Sequence, residues 1–330
     1  MLLEEAVLHR LRHSGYQPIY SPGRDETLEM GPAGLKVKGR GCWHQVDAVA
    51  DFEVRHPFGY PQRILVEAKC FAPREKVGLD IVRSAVGVLK DVSEHWRGGR
   101  GPTIPKERYH YQYAIFSATG YSSDAQRYAY AQDIYLIPLA ESAFIQPIIQ
   151  AIRAVGAGTD AREDLELDMT ALRQITRVKL QGHGGQFPLT LNGTNVRDAL
   201  DRFIGQCNQI QFALLVVLGT HFPVFLVPNP IYFRNRRLED IYYVRIYRGD
   251  GDVTWYVRAR SRPENLFSFD LPKQLFLLYA RQHKLTAAAA IDMKQREMSE
   301  FQAFYRDGDR IQLITFRLDD RWLNEIRARI

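Results

Sequence analysis

The chain has 330 residues, enough for two domains that each bury a core of ordinary size. Its hydrophobic share of 45% and charged share of 25% are those of an ordinary globular protein and exclude a disordered chain or a fibrous repeat. The net charge of +6 is uneven: residues 1–150 carry 18 basic and 17 acidic side chains and residues 151–330 carry 26 and 21, so the basic excess lies mainly in the second half. The start, Met1-Leu2-Leu3-Glu4-Glu5, lacks the basic and apolar regions of a secretory signal, and the expectation is a cytoplasmic protein. The most apolar window, Ile210 to Pro228, is broken by Gly219, His221 and Pro223 and reads as two buried strands, not a membrane span. Cys42, Cys70 and Cys207 stand far apart and form no Cys-x-x-Cys pair, which supports neither a disulfide framework nor a zinc cage and suits reduced thiols.

In chain order, Leu3 to His13 places Leu3, Val7 and Leu11 on one helical face with Gly15 at the end, an opening amphipathic helix. A stretch rich in Gly and Pro follows. Val46 to Val54 then alternates, with Asp47, Val49, Asp51 and Glu53 on one side, and predicts a strand with an acidic face. Gly59 and Pro61 signal a turn before a second strand, Arg63 to Phe71, with Ile64, Val66, Ala68 and Cys70 inward and Glu67 and Lys69 sharing the opposite face. Gly78 to Val92 has helical spacing, and Tyr113 to Ala118 is a short apolar strand. Ser122 and Ser123 cap a helix over Asp124 to Gln132, and Ile134 to Pro138 is one more strand. The mixture predicts an α/β sheet flanked by helices.

Ala154 to Asp164, rich in Gly and Ala, breaks the periodicity and marks the expected boundary near residue 155, giving domains over residues 1–150 and 160–330. Beyond it come a helix at Val196 to Cys207 and strands at Ile210 to Leu218 and Pro223 to Val227. A hairpin joins Tyr242 to Arg248 with Val253 to Arg260 across Asp250-Gly251. Leu285 to Tyr305 sets Ile291, Met298, Phe301 and Tyr305 at helical spacing, and Ile311 to Phe316 reads as a strand. This half is α+β with no internal repeat.

Hydrolysis of a phosphodiester needs neutralisation of the charge built up on phosphorus and a nucleophile available at neutral pH, both of which a carboxylate-held magnesium supplies. Magnesium takes oxygen ligands and keeps several waters, so Asp47, Glu67 and one backbone carbonyl form a sufficient set. Lys69 shares a strand face with Glu67, where an ammonium orients the attacking water or stabilises developing charge. On spacing alone, Glu67 and Lys69 read equally as an ion pair on a solvated strand. A second acid-x-Lys, Asp292-Met293-Lys294, lies in the Ala-rich helical run from Ala287, where residues two apart diverge, and is set aside.

Four blocks extend the pattern around Glu67 and Lys69. They are Leu3-Glu4-Glu5 to Gly15-Tyr16; Gly39-Arg40-Gly41 leading to Asp47; Leu65-Val66-Glu67-Ala68-Lys69-Cys70; and Ala114 to Ala125 followed by Tyr128-Ala129 and Ile134 to Ile137. Together they resemble the Mrr-like branch of the PD-(D/E)XK, or restriction endonuclease, superfamily over roughly residues 1–140. The resemblance implies a restriction-endonuclease-like mixed sheet flanked by helices. It implies magnesium, with manganese able to substitute, on Asp47, Glu67 and the carbonyl of Ala68, with Lys69 serving the water and Glu4 or Glu5 near the metal. Cys42-Trp43-His44-Gln45 departs from the family pattern, which is usually shorter and richer in Gly there. Asp51, four residues beyond Asp47 on the same strand face, is the fallback ligand.

His44 reads either as an acid, base or phosphate contact or as a structural histidine beside Trp43. Arg83 and Lys90 on the following helix read as phosphate contacts or as a solvated basic face. Asn229 to Arg262 holds eight Arg against four acids, with seven aromatics. Alternation there puts Tyr243, Arg245 and Tyr247 on one side of the first hairpin strand and Tyr256, Arg258 and Arg260 on one side of the second. That face suits nucleic acid, or it is an ordinary sheet face or protein surface. No Gly-x-x-x-x-Gly-Lys loop occurs, which argues against nucleotide triphosphate hydrolysis by this chain.

The leading expectation is a magnesium-dependent DNA endonuclease of bacterial restriction or another anti-phage defence. The second half would serve target sensing or partner assembly, and activity would be gated by dimerisation, a partner protein or a DNA feature. The alternatives are a nuclease-fold structural or DNA-binding subunit of a larger complex, and a repair or RNA nuclease.

Overall fold

In the computed structural model, the residues described are 1–32, 34–94, 108–160, 168–191, 194–210, 212–233, 238–249, 253–282 and 284–330. They form two units, Met1–Gln211 and Phe212–Ile330. The first begins with α1 (Leu2–Arg12), whose Leu3, Val7 and Leu11 are buried as their spacing requires, and the chain leaves it through Gly15 at φ 83°. Then come β1 (Tyr16–Ile19), β2 (Leu28–Gly31), β3 (Gly34–Lys38), β4 (Trp43–Gln45), β5 (Ala48–Phe52) and β6 (Gln62–Lys69). They are followed by α2 (Leu79–Glu94), β7 (His110–Ser117), α3 (Ser123–Ala131), β8 (Tyr135–Pro138), α4 (Gln146–Asp160), α5 (Met169–Leu180) and α6 (Asn195–Ile210). The Ser122 hydroxyl caps α3 by accepting the Ala125 N–H at 3.2 Å.

Five strands form one sheet in the order β1-β5-β6-β7-β8, antiparallel in the first two pairings and parallel in the last two. A second, antiparallel sheet, β2-β3-β4, occupies the Gly- and Pro-rich stretch in which the sequence shows no strands. Its strands are too short for an alternation pattern to emerge between the turn residues. The unit is thus a mixed α/β structure.

β6 sits in the middle of the larger sheet with both faces covered: Ile64 and Val66 are buried on one side and Arg63 and Leu65 on the other. Cys70, expected to pack inward, instead lies past the strand end and is exposed. Asp47 precedes β5 and is not part of it, and its N–H donates to the Val66 carbonyl at 3.1 Å.

The boundary expected near residue 155 falls inside α4, and the units divide between Gln211 and Phe212. Gly156 and Gly158 sit within that helix and not in a linker; Gly158 lies against the side chain of Val196, where its small size serves close helix packing, whereas a Cβ on Gly156 would meet open space. Ala161 to Asp164, the rest of the expected linker, lie outside the described residues.

The second unit holds β9 (Leu214–Leu218), β10 (Phe222–Pro228), α7 (Pro230–Phe233), β11 (Ile241–Arg248), β12 (Thr254–Ala259) and β13 (Asn265–Asp270). It continues with α8 (Lys273–Tyr279), α9 (Ala287–Glu297), β14 (Glu300–Asp307), β15 (Arg310–Leu318) and α10 (Asp320–Arg327). Its seven strands close into a barrel in the order β10-β13-β12-β11-β15-β14-β9 around Trp255, Phe267, Phe316 and other buried side chains. The window Ile210 to Pro228 supplies β9 and β10, and among the described residues no helix is long and apolar enough to cross a membrane. The β9–β10 turn has Gly219 and Thr220 both at positive φ, and a Cβ on Gly219 would lie 1.8 Å from the Glu297 carboxylate.

The helix expected through Tyr305 stops at Glu297, and Glu300 onward is β14, paired along its length with β15. Phe301 and Tyr305, four apart, satisfy a strand's period of two as well as a helix's period, and only Ala303 between them separates the two readings.

Lys294 on α9 is buried, its Nζ 5.4 Å from the ring of Trp255 and 5.1 Å from that of Trp322. Burial lowers its pKa from 10.5 to about 8. Between those values the unfolded chain holds the extra proton, so this group makes stability rise with pH across that window, and at pH 7 it costs up to about 3 kcal/mol. Lys294→Met is expected to raise the denaturant midpoint of the second unit at pH 7 and to remove that rise. Identical midpoints and pH slopes for the two proteins would contradict it.

Candidate functional site

The register of β5 against β6, with Ala48 opposite Val66, sets Asp47 across from Glu67. The Ala68 N–H donates to Asp47 Oδ2 at 2.8 Å. Within a strand a residue's N–H and C=O face the same neighbour, so the Ala68 carbonyl lies on the Asp47 edge, while the Lys69 carbonyl turns to β7 and accepts the Ala118 N–H at 2.9 Å. Lys69 Nζ stands 2.5 Å from Glu67 Oε1 and 3.8 Å from Asp47 Oδ2, an ammonium between two carboxylates. The Tyr113 hydroxyl, from β7, donates to Glu67 Oε2 at 2.8 Å. Asp47, Glu67 and Lys69 therefore converge, and Tyr113 is a fourth member that no sequence spacing announced.

Burial pushes the Asp47 carboxyl up, with the Glu67 charge adding to it and the Ala68 N–H and Lys69 opposing. Burial pulls the Lys69 amine down, but its hydrogen bond and charge pairing with Glu67 outweigh this and leave it above the ordinary lysine range. Tyr113 is raised by burial and by the Glu67 carboxylate it contacts.

Glu4 and Glu5 face arginines of α5. Glu5 is buried between Arg173 Nε at 2.9 Å and Arg177 at 2.7 Å, so its carboxylate is already taken by two guanidiniums. The Glu4 carboxylate pairs with Arg173 and, at 2.8 Å, with the Met1 ammonium.

Asp51 is no fallback ligand either. Both its oxygens hold Arg63, at 2.6 and 2.9 Å, and this fully buried guanidinium also reaches Asp25 at 2.7 Å and Thr27 at 2.8 Å beneath the ring of Tyr109. The strand's acidic face thus divides into a structural half at Asp51 and an open half at Asp47.

His44 Nε2 lies 2.7 Å from Asp91 Oδ2 and 3.5 Å from Cys42 Sγ, a cluster that joins β4 to the last turn of α2. The His44 hydrogen bond, with backbone N–H groups of Gly41 and Cys42, holds the Asp91 carboxyl below the usual range. Sequence reading missed Asp91; the Cys-x-His spacing at Cys42 and His44 was its one available signal. On α2, Arg83 is exposed with its guanidinium 5.9 Å from the ring of Tyr128, and Lys90, two turns on, is exposed as well.

In the barrel, Arg245 pairs across strands with Arg258, and Tyr247 with Tyr256, on its outer face. These arginines have protein partners: Arg245 meets Asp319 at 3.0 Å, Arg258 meets Asn265 at 2.6 Å and stacks on Tyr247, and Arg260 stands 3.9 Å from Asp319. The turn residues Asp250-Gly251, and residues 234–237 with three of the segment's arginines, lie outside the described residues.

No family model matches the chain, and no curated protein matches it. Among solved structures it matches "Crystal Structure of Protein of Unknown Function AF1548", with TM-score 0.34 and 16% identity over 64% of this chain and 97% of that one. That likeness is too slight to carry an argument.

Removing the Arg63 guanidinium strands Asp25 and Asp51 beside a buried cavity. Arg63→Leu is expected to destabilise the first unit by about 3–5 kcal/mol in denaturant unfolding. A loss under about 1 kcal/mol would mean that the network contributes no more than a surface ion pair.

Proposed function

We propose that this chain is a magnesium-dependent DNA endonuclease whose first unit belongs to the Mrr-like branch of the PD-(D/E)XK superfamily, with that family's restriction-endonuclease-like sheet. The observation that carries this reading is Asp47 held across from Glu67 at the end of a central strand, with the Lys69 ammonium between the carboxylates. The donor set fits magnesium: two carboxylates and the Ala68 carbonyl edge are hard oxygens, and the carboxylate pair already binds a cation, that of Lys69. Bound there, the ion would supply Lewis acidity toward the phosphate and a water of lowered pKa.

The chain's own groups do the rest. Tyr113 anchors one oxygen of Glu67 and leaves the other to Lys69, so the carboxylate enters the site in a single orientation. Lys69, charged and partly desolvated, is placed to leave the carboxylates when a stronger cation arrives and to meet negative charge developing on substrate oxygens. One such site cuts one strand, so double-strand cleavage calls for a homodimer or a partner protein, in keeping with a gated restriction or anti-phage role. The basic and aromatic outer face of β11 and β12 is the proposed second contact with DNA.

Incubated with plasmid and Mg²⁺ or Mn²⁺, the wild type is expected to nick DNA, and Glu67→Ala and Lys69→Ala to lose at least about a hundredfold in rate, as when a single charge-stabilising group is removed. Equal nicking by all three proteins would sink the assignment. For the barrel face, Arg258→Gln with Arg260→Gln leaves Arg245 to neutralise Asp319. This pair is expected to weaken DNA binding and lower its salt slope by about two. Unchanged affinity at every salt concentration would remove that surface from the reading.

A further inference from the structure

Apart from the carboxylate pair, the first unit gathers a second set of donors of different chemistry. Cys42 and His44 are two apart and turn the same way where the chain enters and runs along β4, and Asp91 reaches them from the last turn of α2. Cys42 Sγ lies 3.5 Å and Asp91 Oδ2 2.7 Å from His44 Nε2, and one ligand atom from each of the three residues falls within 4.8 Å of the others. The surrounding backbone is shaped to this meeting. The Gly41 N–H donates to both Asp91 oxygens at 3.1 and 3.2 Å, the Arg40 N–H donates to the Asp91 carbonyl at 3.1 Å, and Arg40 pairs with Glu94 at 3.3 Å. A Cβ on Gly39 would lie 2.0 Å from Asp91 Oδ2, so any larger residue there would displace the carboxylate.

We propose that Cys42 Sγ, His44 Nε2 and the Asp91 carboxylate form a zinc site with its fourth position open to water. Thiolate, imidazole and carboxylate in one set suit a borderline-soft ion and not magnesium, which keeps the site distinct from Asp47 and Glu67. With ordinary zinc bond lengths, a tetrahedral ion needs sulfur and nitrogen about 3.5 Å apart and nitrogen and oxygen about 3.4 Å apart. The first spacing is already present, and the second requires the 2.7 Å His44–Asp91 hydrogen bond to open by roughly 0.7 Å as the ion takes its place. Binding releases the thiol proton, and any proton on Nε2, to solvent.

A catalytic thiol relay fits less well. It needs the thiol and the carboxylate on opposite ring nitrogens, whereas here both approach Nε2, with Sγ 3.9 Å from Nδ1. The ion would fasten the β3–β4 connection to α2, three residues before the chain reaches Asp47.

The test is a cobalt titration of the reduced, chelator-treated full chain under anaerobic conditions. One thiolate-bound Co²⁺ per chain is expected, counted from a thiolate-to-cobalt charge-transfer band in the near ultraviolet that Zn²⁺ abolishes and excess Mg²⁺, which fills the carboxylate site, leaves intact. Cys42→Ser should lose the band, and His44→Ala and Asp91→Asn should weaken cobalt binding at least about tenfold, the lower end of what second-shell changes cost. Cys70→Ser, the other exposed thiol, should keep it. Absence of the band in the wild type, its survival in Cys42→Ser or its loss in Cys70→Ser would each overturn the proposal. The readout is independent of DNA cleavage, so either function can fail alone.

Discussion

The pairing of β6 with its two neighbours is the constraint from which the first unit follows. Antiparallel to β5 and parallel to β7, this strand is covered on both faces along its middle and emerges only at its last residues. Its side chains alternate with a period of two, so a slip of one residue against β5 would remove Asp47 from Glu67 and turn buried Leu65 to the wrong side of the sheet. Packing against both sheet faces therefore fixes the site geometry. The carboxylates are held together by apolar contacts several residues away.

How the molecule handles cations separates its parts. Arg63 is buried among two carboxylates and a hydroxyl, and Arg173 and Arg177 neutralise Glu5 between α1 and α5. These pairings are saturated and structural. Lys69 is held by two carboxylates at a strand end, where all three side chains stay partly exposed to solvent. Lys294 has tryptophan rings where the others have carboxylates, and it loses basicity accordingly.

Much of the first unit was legible in the sequence because its signals are local. The apolar spacing of α1 and α2, the Ser122 cap of α3 and the strand carrying Glu67 and Lys69 all follow from spacing and side-chain chemistry over a few residues. Asp292 and Lys294 lie on helix α9, as the Ala-rich run implies, where residues two apart do not share a face. What escaped depends on distance in the chain. Asp51 is claimed by Arg63 and Glu5 by two arginines of α5, and Asp91 arrives from 47 residues beyond His44. The barrel escaped because closure joins β9 to β14, strands far apart in sequence. The inserted Cys42-Trp43-His44-Gln45, read as a mere departure from a family pattern, proves to be the segment that meets α2.

The barrel's own seam has a dynamic consequence. Within it, β9 and β10 form a hairpin laddered at five positions, yet β9 joins β14 through the pair Val216 and Ala303, and β10 joins β13 through two pairs, extended by the Asn229 N–H donating to the Leu266 carbonyl at 2.8 Å. Apolar side chains, more than backbone bonds, keep this panel shut. With so short a ladder on either side, the outer amides of this hairpin are expected to exchange with solvent before those of the eight-rung β14–β15 ladder.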